Sequence, residues 1–189
     1  MSASTGTALV VIDLQVDIVD GEEPTYRRDE LLETVAGLLT EARKEGVPVF
    51  FIQHTEDRYE PLSEGNPGWR IHPAIAPLPG ERIIQKRAAD SFALTPLRSE
   101  LDALGITHIV VAGMQTEMCV DTTSRRAVSL GYDVTLVADA HSTFDTEVIT
   151  AEQIIAHTNK TLANLPHPQN EILVKPSSEV TFGAKVAVA

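Results

Sequence analysis

The only cysteine in this chain, Cys119, is placed where a thiol can become a nucleophile. The apolar run at 109–111 before it predicts a buried strand, and the pattern at 120–130 after it predicts a helix. The first N–H groups of a helix lack internal partners and carry partial positive charge. That field favours thiolate over thiol and can hold a carbonyl oxygen that becomes an anion. The alternative is a small buried apolar residue, which is the common role of a lone cysteine.

Two other reactive side chains end predicted strands. Asp13 ends the apolar run that starts at residue 7, and Lys86 ends a short strand that starts at residue 82. Asp13 could take the thiol proton and later activate water, while Lys86 would keep Asp13 ionised and lower the thiol pKa. The backbone N–H groups of Gln115 and Cys119 could form an oxyanion hole. Together these residues predict nucleophilic hydrolysis through a covalent intermediate.

Alternating strand and helix patterns must position these residues. Strands are predicted at 7–13, 47–54, 82–86, 108–112, 132–139 and 171–174, and helices at 29–45, 95–104, 117–130 and 150–165. This alternation predicts an α/β fold: a three-layer α/β/α, doubly wound, parallel sheet. With the strand order 3-2-1-4-5-6, Asp13 and Cys119 flank the point where strand order reverses. We find no repeat or linker, so residues 1–189 are interpreted as a single domain.

Three more residues are candidate substrate contacts. The segment 55–80 has five prolines and no periodicity, and so long a loop is usually functional. It carries Trp69, which is predicted either to wall the pocket or to pack the loop against the core. Gln15 and Phe92 lie near strand-end charged residues and are predicted to touch substrate; their alternatives are a backbone hydrogen bond and core packing.

Composition excludes several classes of function. The net charge of −12 argues against a nucleic-acid-binding or anionic-membrane surface and is compatible with a cationic or neutral small substrate. A lone cysteine, no basic leader and no apolar run of roughly 20 residues predict a cytoplasmic protein. The glycine fingerprint of a dinucleotide site and the phosphate-loop motif are missing from the sequence, which disfavours a nicotinamide-dependent dehydrogenase.

The sequence resembles the isochorismatase-like cysteine hydrolases from residue 10 to about residue 174. The motifs that carry the resemblance are VVIDLQ at 10–15, GW at 68–69, PGE at 79–81, Lys86 with SF at 91–92, GMQTEMCV at 113–120, Thr123 and DA at 139–140. The resemblance implies the six-stranded order given above, a triad of Asp13, Lys86 and Cys119, and a cis peptide before Gln115. It also implies a homodimer or a higher homo-oligomer.

One branch of that family, the nicotinamidases, binds a metal through an Asp-x-His pair after strand two. This chain has Gln53-His54-Thr55 there, and we therefore predict no metal and no other cofactor. Segments 139–145 and 151–157 look like a metal-independent amidohydrolase subgroup that includes the streptothricin hydrolases. The predicted function is cleavage of a C–N bond in a small amide, lactam or imide through a thioester. The alternatives are isochorismate-type vinyl-ether hydrolysis and a non-catalytic, redox-sensitive binding module.

Overall fold

Six parallel strands form one sheet in the computed structural model, which describes residues 6–23 and 25–182. The strand order is β3-β2-β1-β4-β5-β6, as predicted. The strands are β1 (Gly6–Ile12), β2 (Val49–His54), β3 (Arg82–Lys86), β4 (Ile106–Met114), β5 (Asp133–Ser142) and β6 (Ile172–Lys175). The central pair, β1 and β4, is where strand order reverses, and the carboxyl ends of both strands meet there.

Helices cover both faces of the sheet. They are α1 (Val16–Asp20), α2 (Arg28–Lys44), α3 (Leu97–Ala103), α4 (Asp121–Leu130) and α5 (Ala151–Leu162). Alternate residues of β1 enter two separate cores: Leu9 and Val11 pack with α1 and α2, while Val10 and Ile12 pack with α3, α4 and α5. This two-sided burial is the reason that β1 is apolar without a break. No helix within the described residues has the length and apolarity to cross a bilayer.

The structure differs from the sequence prediction mainly near strand ends. β4 and β5 extend two and three residues further toward their carboxyl ends, and α1 was not predicted because five residues are too few for a periodic pattern. The segment Thr116–Val120 forms one wide π-helical turn that leads directly into α4. The 55–80 segment contains three short 3₁₀ turns, at Glu60–Leu62, Pro67–Trp69 and Pro73–Ile75.

A glycine allows β1 and β4 to approach each other closely beside the reactive residues. Gly113 has a φ of 131°, and a Cβ there would lie 2.1 Å from the carbonyl oxygen of Ile12. Only glycine combines this backbone conformation with so close a main-chain contact. The residue that follows β1 is Asp13, whose own φ of 51° is one of the left-handed conformations that aspartate tolerates.

Candidate active site

The side chains of Asp13, Lys86 and Cys119 converge at the carboxyl edge of the sheet. The Lys86 Nζ lies 2.6 Å from Asp13 Oδ2 and donates a hydrogen bond to Cys119 Sγ at 3.2 Å. Lys86 ends β3, two strands from β1, so its long side chain must pass the end of β2. There His54 lies in register with Lys86, and its Nδ1 is 3.3 Å from Nζ. The three N–H groups of one ammonium thus have three acceptors.

Asp13 has one carboxylate oxygen bound and one available. Its side chain is 3% exposed, and Oδ2 takes the ion pair with Lys86. Among the described residues, Oδ1 has no hydrogen-bond partner. A buried carboxylate oxygen is costly to leave unsatisfied. An unpaired oxygen beside a thiol is therefore a candidate proton acceptor.

The turn that carries Cys119 lies beside the same space. The Met114–Gln115 peptide bond is cis, as the family resemblance implied. Gln115 precedes the π-helical turn, and both Gln115 and Cys119 line the cleft. This placement is suited to hydrogen bonding of a substrate oxygen by main-chain donors.

Electrostatics at the thiol differ from the sequence prediction. Burial and the negative charge of Asp13 raise the pKa of Cys119 to about 12, and the opposing effect of Lys86 does not offset them. The expected lowering of the thiol pKa is thus corrected: the resting side chain is a neutral thiol. Burial disfavours charge on Lys86 too, but Asp13 and Cys119 outweigh it and raise the pKa of Lys86. The site therefore holds a carboxylate, an ammonium and a thiol.

The raised thiol pKa predicts slow alkylation at neutral pH. Because only the thiolate reacts, iodoacetamide at pH 8 is expected to modify Cys119 at least about 100-fold more slowly than free cysteine. The rate should keep rising with pH above 9. Asp13→Asn removes the negative charge without changing shape and should accelerate alkylation at pH 8, which a purely steric block would not allow. A wild-type rate that levels off below pH 8 would contradict the raised pKa.

An open cleft of about 430 Å³ leads to these groups. Its floor is formed by Asp13, His54, Gln115 and Cys119. The other residues that line it were not predicted as site residues. They are an apolar wall of Ile18, Leu62, Met118 and Phe144, an acidic rim of Asp17, Glu22 and Glu23, and in addition Tyr59 and Ala89. The signal that could have identified the rim is the acid-rich stretch at 17–23, which begins a few residues after β1.

Two predicted substrate contacts, Gln15 and Phe92, have structural roles instead. Gln15 is 0% exposed, and its amide group bonds the backbone of His54 and the carbonyl of Trp69, so no face is left for a substrate. Phe92 stacks on Tyr132 with ring centroids 5.8 Å apart, inside the core on the α3–α5 face. Both residues lie close in sequence to the ends of strands, but this position does not determine the direction of their side chains.

Trp69 takes the second of the two roles considered from the sequence. Its indole N–H donates to Thr55 Oγ1 at 3.0 Å, just after β2. Its carbonyl accepts hydrogen bonds from the side chains of Gln15 and Gln53. Trp69 therefore anchors the 55–80 segment to the sheet and is not among the residues that line the cleft.

A buried hydrogen-bond chain holds the residue after Gln115. Thr116 Oγ1 lies 2.9 Å from His141 Nδ1, and His141 Nε2 lies 2.9 Å from Asn159 Oδ1. Asn159 Nδ2 donates to the carbonyl of Ala138, so its Oδ1 faces the histidine and accepts. His141 therefore carries its proton on Nε2 and accepts from Thr116, and the chain ties the oxyanion segment to β5 and α5.

His141 predicts acid sensitivity of the fold. Burial lowers the pKa of His141 to about 4, below its unfolded value near 6.5. As the pH falls, the unfolded chain therefore binds a proton at this histidine before the folded protein does. Between the two pKa values, the free energy of unfolding decreases by about 1.4 kcal/mol for each pH unit. Urea denaturation measures the free energy of unfolding at each pH. From pH 7 to pH 4.5, this free energy should decrease by about 2 kcal/mol more for the wild type than for His141→Gln. His157→Gln, at an exposed site on α5, is the control; parallel curves for wild type and His141→Gln would contradict this.

The metal ligands of the nicotinamidase branch have no counterpart at the end of β2. Gln53 uses its side-chain amide to bind the carbonyl of Trp69, and His54 Nδ1 faces Lys86. In residues 6–23 and 25–182, no group of three or more His, Cys, Asp or Glu side chains is arranged to hold a metal ion.

The fold and this centre define a doubly wound α/β protein with a Cys-Asp-Lys cluster at the carboxyl edge of its sheet. Residues 7–162 match the model of the isochorismatase domain, and the chain belongs to the isochorismatase family. Streptothricin hydrolase of Streptomyces noursei is 38% identical over 138 residues, 73% of this chain and 50% of that protein. The match thus spans about half the length of that relative. An uncharacterised Bacillus subtilis relative, YddQ, is 36% identical over 158 residues, 78% of this chain and 86% of that protein.

Solved structures give the same result. An isochorismatase from Pseudomonas putida KT2440 superposes with a TM-score of 0.83 at 30% identity, covering 95% of this chain and 92% of that one. Another isochorismatase-family structure has a TM-score of 0.81 at 32% identity and covers 90% of this chain and 99% of its own. The strand order and the family resemblance inferred from sequence are thereby confirmed.

Proposed function

We propose that the chain is a cysteine hydrolase that cleaves a C–N bond of a small amide, lactam or imide through a thioester. The observation that carries this proposal is the contact of one buried ammonium with both a carboxylate and a thiol, at 2.6 and 3.2 Å. The similarity to a streptothricin hydrolase supports hydrolysis as the reaction type. The cleft volume suits a small molecule.

In the first half-reaction, Cys119 attacks the carbonyl carbon. Because the thiol pKa is about 12, free thiolate is scarce, so transfer of the thiol proton to Asp13 Oδ1 must accompany formation of the C–S bond. The N–H groups of Gln115 and Cys119 hold the developing oxyanion. The C–N bond then breaks, Asp13 returns its proton to the leaving nitrogen, and an acyl-thioester and an amine result.

In the second half-reaction, water releases the acyl group. Asp13 takes a proton from the water, whose oxygen attacks the thioester carbon, and the same N–H groups again hold the oxyanion. The C–S bond breaks, the proton returns from Asp13 to sulfur, and a carboxylic acid leaves. Lys86 remains protonated throughout and stabilises both the carboxylate and the sulfur as charge moves between them.

Intact-mass spectrometry tests the proposal. The protein is mixed with a panel of small amides, lactams and imides and quenched in acid, and an acyl adduct on Cys119 is expected for the cleaved members. Hydroxylamine should remove the adduct, as it does from thioesters. Cleavage of isochorismate by Cys119→Ala, without any adduct, would favour vinyl-ether hydrolysis instead. Rapid sulfenic-acid formation by peroxide, with no amide cleaved, would favour a redox-sensitive binding module.

Two expectations, one from the family resemblance and one from composition, stay predictions. Assembly into a homodimer or higher homo-oligomer is expected, and sedimentation velocity measures it directly. A cytoplasmic location is likewise expected from the sequence, and fractionation of the source cells checks it.

A further inference from the structure

The acidic rim of the cleft suggests which amides the proposed hydrolase accepts. Asp17 lies on α1, Glu22 and Glu23 follow that helix, and all three residues line the cleft. The hydroxyl of Tyr59, which also lines the cleft, donates a hydrogen bond to Asp17. In the part of the chain that the structure describes, none of the three rim carboxylates forms an ion pair.

The floor of the cleft does not neutralise this rim. The charges of Asp13 and Lys86 offset each other at 2.6 Å. His54 is neutral at pH 7, because burial and the charge of Lys86 lower its pKa. Among the described residues, no arginine or lysine is part of the cleft lining. Three carboxylates therefore line the cleft without a cationic partner among the described residues, and low-dielectric walls focus the field of such charges.

An apolar wall lies between the rim and the reactive floor in the same cleft. Met118 and Tyr59 are about half exposed, at 50% and 48%, although both are large side chains that bury well. With Ile18, Leu62 and Phe144 they offer apolar and aromatic surface to a ligand. Aromatic rings beside carboxylates also favour a cation.

We propose that the cleft selects amides that carry an ammonium or guanidinium group joined to the scissile carbonyl through an apolar segment. The reactive carbonyl then meets Cys119, the apolar segment contacts the wall, and the cation faces Asp17, Glu22 and Glu23. Carboxylate substrates are repelled by the same rim. Isochorismate, a dicarboxylate, is accordingly disfavoured. This inference rests on the proposed hydrolysis for its kinetic test but not for its binding test.

Three p-nitroanilides of similar length test the charge preference: aminohexanoyl (cationic), hexanoyl (neutral) and monoadipoyl (anionic). The cationic probe is expected to exceed the neutral one in kcat/KM by about tenfold, mainly through KM, and the anionic probe should be the poorest. The double variant Glu22→Gln/Glu23→Gln should reduce the ratio of kcat/KM for the cationic probe to kcat/KM for the neutral probe about fivefold. High salt should reduce the same ratio. The matched control is Glu45→Gln/Glu171→Gln, which removes two exposed carboxylates near the opposite edge of the sheet and should leave the ratio unchanged.

Binding separates this inference from the hydrolase proposal. Calorimetry with Cys119→Ala, which lacks the nucleophile, and the free amides of the same three acyl chains should give the same order of affinity. If amides are cleaved without a charge preference, or if both double variants change the ratio equally, the charge inference fails alone. If no probe is cleaved but the cationic amide binds most tightly, the hydrolase proposal fails alone. Absence of binding by the cationic amide at millimolar concentration overturns the inference.

Discussion

Cys119→Ala is expected to lower kcat for the cleaved amide by at least about 10⁴-fold while the protein stays folded. Without sulfur no acyl intermediate can form, and the remaining groups can only polarise the carbonyl. Cys119 is half-buried beside the core on the α3–α5 face, so loss of one sulfur atom leaves a small space near the cleft. The unfolding midpoint in urea should therefore change little compared with the loss of activity.

Cys119→Ser provides the sharper control, because it keeps the size of the side chain and a proton-bearing nucleophile. Its hydroxyl is much less acidic than a thiol, so Asp13 should be too weak a base to activate it, and activity should stay close to that of the alanine variant. Both variants are assayed on the same amide, with intact mass to verify that no adduct forms. Full hydrolysis by Cys119→Ala would end the cysteine mechanism.

Lys86→Met is expected to affect stability and activity together. The variant leaves the buried carboxylate of Asp13 without its counter-ion, and removal of one partner from a buried pair costs about 3–5 kcal/mol. Hydrolysis should fall by at least about 10³-fold, because the carboxylate then protonates more easily and the sulfur loses its stabilising charge. Urea denaturation at pH 7 gives the stability change, and a steady-state assay gives the rate.

A double variant separates the two effects. Asp13→Asn/Lys86→Met has no unpaired charge and should recover most of the stability lost in Lys86→Met, yet remain inactive. Lys44→Met is the matched control, since Lys44 pairs with Glu41 on the exposed face of α2 and its removal should change stability much less. A single Lys86→Met variant as stable as wild type would mean that Asp13 is not ionised in the folded protein.

Much of this site could be predicted from the sequence because it depends on chain topology. Asp13 and Lys86 end strands, and Cys119 follows another, so a parallel sheet in the right order brings all three to one edge. The apolar runs and helix periodicities that determine such an order are local signals. The capping box of α5, with Thr150 and Gln153, is similarly readable from residue types.

The thiol pKa could not be predicted in the same way. The helix N-terminus and Lys86 both favour thiolate, and the sequence contains both. Burial of the sulfur and its contact with ionised Asp13 act the other way and are stronger. Which effect dominates depends on depth and on distances of a few ångströms, which residue types do not specify.

The roles of Gln15 and Phe92 depend on side-chain direction, which sequence position leaves open. Each lies close to a reactive residue in the chain, but each faces a different part of the molecule: a hydrogen-bonded clamp for Gln15 and a stacked core pair for Phe92. The acidic rim was missed for a different reason. The rim residues lie on a helix of only five residues and in the loop after it. Such short segments show no hydrophobic periodicity from which the direction of a side chain could be predicted.

The main-chain contact between Gly113 and Ile12 has a consequence for how substrate preference can diverge. The backbones of β1 and β4 are in direct contact there. The distance between the backbone positions that precede the base, Asp13, and the nucleophile, Cys119, is therefore not determined by any side chain between them. Most of the other residues that line the cleft lie on α1 or just after it, on the 55–80 segment and after β5. Substitutions at these cleft positions can therefore change substrate selectivity while the arrangement of the reactive side chains stays the same.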